Sequence, residues 1–169
     1  MRTVIVAIAL LFVLGNAQLF RSTMSPSDPQ HVRKAYHDLQ AAFSNLTWMT
    51  GSPGLGSLFT ADGTWCSEKG SPCVTGATNI TNYVGGFKSY LGLTDAIAHF
   101  SDLSVNGNYG SFDYVKTFAC SGSCGHRTCL VPGKSGFMVK DGSSSIVELN
   151  DYVDNDLWMS LCIGHCTQC

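Results

Sequence analysis

Residues 96–153, AIAHFSDLSVNGNYGSFDYVKTFACSGSCGHRTCLVPGKSGFMVKDGSSSIVELNDYV, decide the fold. Two turn phrases, Asn106-Gly107-Asn108 and Asp141-Gly142-Ser143, each sit between runs rich in β-branched and aromatic residues. Asn-Gly and Asp-Gly supply the positive φ that tight hairpin turns require, so each phrase predicts a hairpin. The predicted strands are residues 96–106, 109–120, 134–140 and 145–153. Phe112, Tyr114 and Phe118 fall at even spacing in the second, which puts them on one face. Four strands in meander make a sheet with one apolar side.

Upstream the period changes to that of a helix. Asp28 is placed to cap it and Pro29 occupies the first helical position. Val32, Ala35, Tyr36, Leu39, Ala42, Phe43 and Leu46 then recur every three or four residues, predicting a helix to about Leu46. Residues 50–56, TGSPGLG, end it. Residues 58–63, LFTADG, read as a short helix or turn leading into a strand at 64–67. A second helix is predicted over 77–90, with Ile80, Tyr83, Val84 and Phe87 as its apolar stripe and Gly85-Gly86 weakening it. Helices first and strands afterwards predict an α+β domain. The helical stripes must cover one face of the sheet, and a sheet curled around a long helix encloses a conical cavity suited to a small ligand.

The chain opens with Arg2, an apolar run from Val4 to Leu14, and the small residues Gly15-Asn16-Ala17. That order reads as a secretory leader cleaved before Gln18, and the apolar run is short for a membrane span. The expected organisation is therefore a leader at 1–17, one domain at 18–154, and a cysteine-rich tail at 155–169 tied to that domain. An extracellular location is expected, with no membrane association after cleavage. A net charge of −2 and a pI near 6.2, without runs of Lys or Arg, argue against nucleic-acid partners and against a basic membrane-binding patch. The sequons Asn45-Leu46-Thr47 and Asn79-Ile80-Thr81 are expected glycan acceptors.

Eight cysteines fall into three groups: Cys66 with Cys73; Cys120, Cys124 and Cys129; and Cys162, Cys166 and Cys169. In an oxidising compartment an even number reads as disulfides. The spacing suggests a local Cys66–Cys73 bridge and pairing of the two triplets, one of several connectivities the sequence allows. His126 and His165 lie within the triplets and raise a zinc alternative, but Cys120-x3-Cys124 and Cys162-x3-Cys166-x2-Cys169 do not make up a framework of two C-x2-C pairs. Disulfides are expected, and no metal or cofactor.

Several local phrases carry a resemblance. Leu58-Phe59-Thr60-Ala61-Asp62-Gly63-Thr64-Trp65, Gly76-Ala77-Thr78-Asn79-Ile80, Ala98-His99-Phe100-Ser101-Asp102 and the final run at 142–154 occur in an order that resembles the SnoaL-like and nuclear-transport-factor-2-like (NTF2-like) superfamily. The resemblance spans roughly residues 29–154 and implies a cone-shaped pocket under a curved sheet. That superfamily includes isomerases, cyclases, dehydratases, epoxide hydrolases and proteins without catalysis, so it fixes no chemistry. Where steroid-isomerase-like members carry a catalytic Asp, matching through Ala61–Trp65 puts Ser67, with Glu68 beside it. That departure argues against their mechanism. Many members also pair through the outer sheet face, which makes a homodimer an expectation.

His99 is the candidate acid–base residue. It shares strand parity with Ile97, Ser101, Leu103 and Val105, a largely apolar set that would line the cone. The competing reading is a histidine satisfied by a backbone carbonyl. Tyr36, Phe43, Trp65, Phe118 and Tyr152 complete the expected lining. Asp113, Glu148, Asp151 and Asp154 are read as a solvated outer face, because carboxylates are seldom buried alone. Three functions follow: a secreted protein holding an apolar or amphipathic molecule, a cofactor-free lyase, isomerase or hydrolase using His99, or a non-catalytic extracellular structural protein.

Overall fold

The computed structural model describes residues 29–66, 72–122 and 125–153. The expected leader, Asp28, Ser67, Glu68, Cys124, Asp154 and the tail with Cys162, His165, Cys166 and Cys169 lie outside them, as does the His126 side chain. The helix predicted from Pro29 divides into α1 (Pro29–Phe43) and α2 (Leu46–Thr50). The break has a local cause: Asn45 adopts an extended conformation, and its side-chain oxygen accepts the Trp48 N–H at 2.9 Å, starting a new helix. A 3-10 turn at Leu55–Leu58 leads into β1 (Phe59–Cys66); β2 (Val74–Thr75), α3 (Ala77–Leu91), β3 (Leu93–Phe100), β4 (Ser104–Asn106), β5 (Tyr109–Gly122), β6 (Gly125–Val139) and β7 (Ile146–Val153) follow.

The strands form one mixed, curved sheet in the order β2-β1-β7-β6-β5-β3, with β4 pairing on β5 beyond the end of β3. All pairings are antiparallel except β1 with β7. That parallel ladder explains one departure from expectation. Residues 59–63 are strand rather than helix or turn, because Phe59 pairs with Ile146 and Thr64 with Glu148. The Ala-Asp-Gly turn chemistry survives only as an irregularity between Phe59 and Thr64. The single strand expected over 96–106 is interrupted at residues 101–103, where the Tyr36 hydroxyl on α1 donates to the Ser101 carbonyl at 2.6 Å. The expected cysteine loop is largely ladder, since β5 and β6 remain paired as far as Gly122 and Gly125.

α1 lies across the sheet's inner face and buries Val32, Ala35, Tyr36, Leu39, Ala42 and Phe43, the stripe its periodicity predicts. Just past its end, the Ser44 hydroxyl accepts the Ala98 N–H at 3.2 Å. It lies 3.3 Å from the Ala98 carbonyl, to which it donates. β3 is the last strand of the sheet, so Ser44 occupies an edge that would otherwise offer free ladder groups. Cys66 and Cys73 form a disulfide that closes the β1–β2 connection, and Cys120 and Cys129 each take part in a disulfide.

Candidate active site in the cone

Alternation along β5 turns Phe112, Tyr114, Lys116, Phe118 and Cys120 toward α1. Along β7 it turns Leu149 and Asp151 the same way, and along β6 Val131, Ser135 and Phe137. Ser135 and Asp151 are register partners, and Lys116 lies on the strand at β6's other edge. The sheet therefore concentrates one lysine, one carboxylate and one hydroxyl inside an apolar interior.

Lys116 Nζ is 2.8 Å from Asp151 Oδ2, and the Ser135 hydroxyl donates to Asp151 Oδ1 at 2.8 Å. Lys116 is 6% exposed and Asp151 3%. The ammonium also lies 3.9 Å from the Phe43 ring centre and 4.1 Å from that of Tyr114, in cation–π contact with both. Tyr114 reaches the group because Gly133, its partner on β6, has no side chain; a Cβ there would overlap the Tyr114 ring and hydroxyl. Burial, and then the Asp151 charge, push the Tyr114 phenol far above the ordinary tyrosine range, so it stays neutral. Its oxygen makes no hydrogen bond of normal length and angle with the described residues.

This cluster borders a cavity of about 90 Å³. Phe43 and Met49 of the first two helices, Val84 and Phe87 of α3, and Trp65, Leu93, Phe118, Val131 and Val153 of the sheet form its apolar lining. Lys116 and Asp151 are its only charged lining residues among those described. Trp65 is 6% exposed, and its indole N–H has no partner among the described residues. Buried donors are ordinarily satisfied, so an unpaired N–H in a cavity wall suits a ligand's acceptor atom. Chemically, the cavity combines donors from an ammonium and an indole with a carboxylate able to take a proton.

Phe43, Trp65 and Phe118 are thus cavity residues, as the sequence suggests, whereas Tyr36, His99 and Tyr152 are not. His99 and Ile97 are exposed on the outer face of β3, while Ala96 and Ala98 face inward. The small inward residues fit the close approach of Ser44 beyond α1. Tyr36 is buried elsewhere in the interior, edge-on to Phe112. Tyr152 is exposed because Asp151 beside it takes the inward position. Asp151 corrects the reading of β7's carboxylates as solvated; Asp113 does lie outside, near Lys134 at 3.4 Å. Lys116 and Ser135 had escaped the sequence reading, although Lys116 shares parity with Tyr114 and Phe118. Among the described residues no group of His, Cys, Asp and Glu is arranged to hold a metal.

A curved mixed sheet wrapped over a long N-terminal helix, with a polar group in its apolar interior, defines the NTF2-like fold. Solved structures bear this out. A protein described as a SnoaL-like polyketide cyclase from Shewanella denitrificans OS-217 matches with a TM-score of 0.65 and 10% identity, over 79% of this chain and 97% of its own. Another described in the same words, from Jannaschia sp. CCS1, gives 0.63 and 16%, over 82% and 94%. An LEH-like epoxide hydrolase from M. tuberculosis gives 0.60 and 14%, over 80% and 92%. Two further structures of similar fold hold small molecules: a protein from Catenulispora acidiphila DSM 44928 in complex with trimethylamine, and TerC co-crystallised with polyporic acid. No protein-family model matches the sequence, and no curated protein does.

Proposed function

We propose that this chain is a secreted small-molecule-binding protein whose cone holds an apolar or amphipathic ligand by an acceptor group. The observation that carries the proposal is the cavity wall itself: among the described residues it is apolar except for the Lys116–Asp151 pair and the Trp65 N–H, which has no partner among them. An apolar cavity of about 150 Å³ is enough to take benzene. At about 90 Å³ this one encloses a few heavy atoms, so it fits a very small ligand or the polar head of a longer one. The neighbours that hold trimethylamine and polyporic acid support binding of small molecules by this fold.

Native mass spectrometry of the secreted, deglycosylated protein, before and after denaturation, tests the proposal. A small organic molecule released on denaturation, and missing from a Lys116→Met/Asp151→Asn protein, is expected. A clean apo mass, with no change in melting temperature across a panel of small ketones, phenols and carboxylic acids, would overturn it.

A catalytic reading is favoured by the composition of the same wall. Asp151 takes a proton from the ligand and returns it at another carbon, while Lys116 stabilises the oxyanion that forms between the two transfers, the chemistry of a cofactor-free isomerase. His99, on the outer face, has no part in this version. Turnover abolished by Asp151→Asn and retained by His99→Ala would distinguish it from simple binding. The outer face supports the homodimer: Ile97, Thr117 and Leu130 are register neighbours, and Leu130 is 56% exposed. Sedimentation of Leu130→Glu as a monomer, against a dimeric parent, tests that pairing.

A further inference from the structure

A second concavity lies outside the cone, where α1 meets α2. It is a groove of about 370 Å³ bounded by Asp38, Ala41, Ala42, Asn45, Trp48 and Leu58. It continues past Asp38 and Leu58 into a smaller region of about 220 Å³ that adds Lys34, Ala35, Ser57, Ser144 and Ser145. The groove is in the size range of small-ligand sites but differs from the cone in character. One aromatic side chain, Trp48, is set among small residues and the Asp38 carboxylate, whose Oδ2 pairs with Lys34 at 2.7 Å, and serine hydroxyls lie in the adjoining region. That combination suits a sugar ring, whose C–H face packs on an aromatic plane and whose hydroxyls need hydrogen-bond partners.

The occupant is indicated by the groove's own wall, because Asn45 is the acceptor of the first sequon. Asn45 is exposed, and its Oδ1 is used in capping α2. Its Nδ2, the atom that carries an N-linked glycan, makes no hydrogen bond with the described residues. Thr47 is exposed as well. The second sequon is built differently. Asn79 Nδ2 donates to the Thr75 carbonyl at 2.9 Å, and the Thr81 hydroxyl accepts the Gly56 N–H at 3.0 Å, so the fold uses both of its polar side chains.

We infer that the groove between α1 and α2 seats the core N-acetylglucosamine residues of a glycan on Asn45, with Trp48 as the stacking surface and Asp38 as a hydrogen-bond acceptor for sugar hydroxyls. The inference rests on the secretory reading of residues 1–17. The glycan covers an apolar stretch of helix surface at Ala41, Trp48 and Leu58 and joins α1 to α2 from outside. The Asn79 sequon serves as a structural turn at the start of α3, and a glycan added there would stand free of the groove.

The test is expression of the whole chain in a eukaryotic secretory host, with its own leader and in parallel behind a host leader, followed by glycopeptide mapping and enzymatic deglycosylation under native conditions. Occupancy at Asn45 is expected, with slow native release. Release should quicken about threefold to tenfold in Trp48→Leu and in Ala41→Lys, which places a long side chain in the groove from an exposed position. Ala41→Lys keeps the test valid if Trp48→Leu folds poorly. Thr47→Ala removes the sequon while leaving the Asn45 cap, and should abolish the glycan without unfolding α2. Failure with the native leader alone would count against the secretory reading. Secretion behind the host leader with Asn45 unoccupied, or with release unchanged in both groove variants, would overturn the seat itself.

Discussion

Replacing Asp151 by Asn keeps its shape and its acceptor for the Ser135 hydroxyl, and replaces the charged acceptor opposite Lys116 with an amide NH2. The lysine is then left in an interior where it is 6% exposed, with no counter-ion. Breaking a buried ion pair from one side typically costs about 3–5 kcal/mol. The Phe43 and Tyr114 rings, at 3.9 and 4.1 Å from Nζ, still face the cation and offset part of that cost. We therefore expect Asp151→Asn to lose about 3 kcal/mol, the lower end of that range. Lys116→Met should cost about the same, since Ser135 alone then satisfies the carboxylate. The double variant Lys116→Met/Asp151→Asn carries neither charge and should return to within about 1 kcal/mol of the parent. Urea unfolding with a shared m-value measures all three, and in thermal melts each single variant should fall by about 10 °C. Single variants within about 1 kcal/mol of the parent, or a double variant showing the sum of both losses, would refute the pair as a coupled buried unit. The double variant also separates stability from function: it should fold, and it should not take up the ligand.

Three other outcomes follow from the same geometry. Gly133→Ala puts a methyl into the Tyr114 ring and should cost about 1–3 kcal/mol by chemical denaturation, with Tyr114→Leu/Gly133→Ala recovering part of the loss. Tyr114 holds its proton in the folded state far above the pH at which an unfolded tyrosine loses it, so its contribution to stability is whole below about pH 10 and declines above it. Stability measured from pH 9 to 12 should therefore drop more steeply than in Tyr114→Phe, by up to about 1.4 kcal/mol per pH unit, and an equal slope in the two proteins would be a contradiction. Cys66→Ser/Cys73→Ser opens a loop of sequence separation 7 and should cost about 2–2.5 kcal/mol in oxidised protein, measured as a shift in the urea midpoint.

Much of the architecture was legible because it follows from short-range rules. The α1 stripe from Val32 to Phe43 is what a 3.6-residue period records, and the Asn106-Gly107 and Asp141-Gly142 turns lie where the chain reverses. One departure is local and the other comes from a distant partner. Periodicity carries the helix through Asn45, whose own side chain instead caps the next one. Residues 59–63 carry turn chemistry, yet β7, more than eighty positions later, draws them into a parallel ladder. The irregularity falls where their Ala-Asp-Gly lies, but the parallel ladder itself has no signature in residues 58–65.

The candidate site was harder to read, for a different physical reason. Strand parity says which residues share a face but not which face points inward. In β3 Ile97 shares the outward parity of His99, whereas the inward row is Ala96, Ala98 and Phe100, with Phe100 stacked on Phe112 at 4.2 Å and Ala98 small where Ser44 closes on the strand edge. Leu103 and Val105, the other apolar residues that share parity with His99, lie in and past the interruption at residues 101–103, so they do not set the face of β3. In β5 parity was informative, because Lys116 sits between Tyr114 and Phe118 in the same inward row. A lysine there is costly unless an acid meets it, and that requirement predicts a buried carboxylate elsewhere in the sheet. Asp151 meets it from 35 positions away, with Ser135 holding its other oxygen. The cost of burying either charge alone makes each residue look misplaced in isolation, and the same cost makes the pair the strongest pointer to a polar centre in the cone.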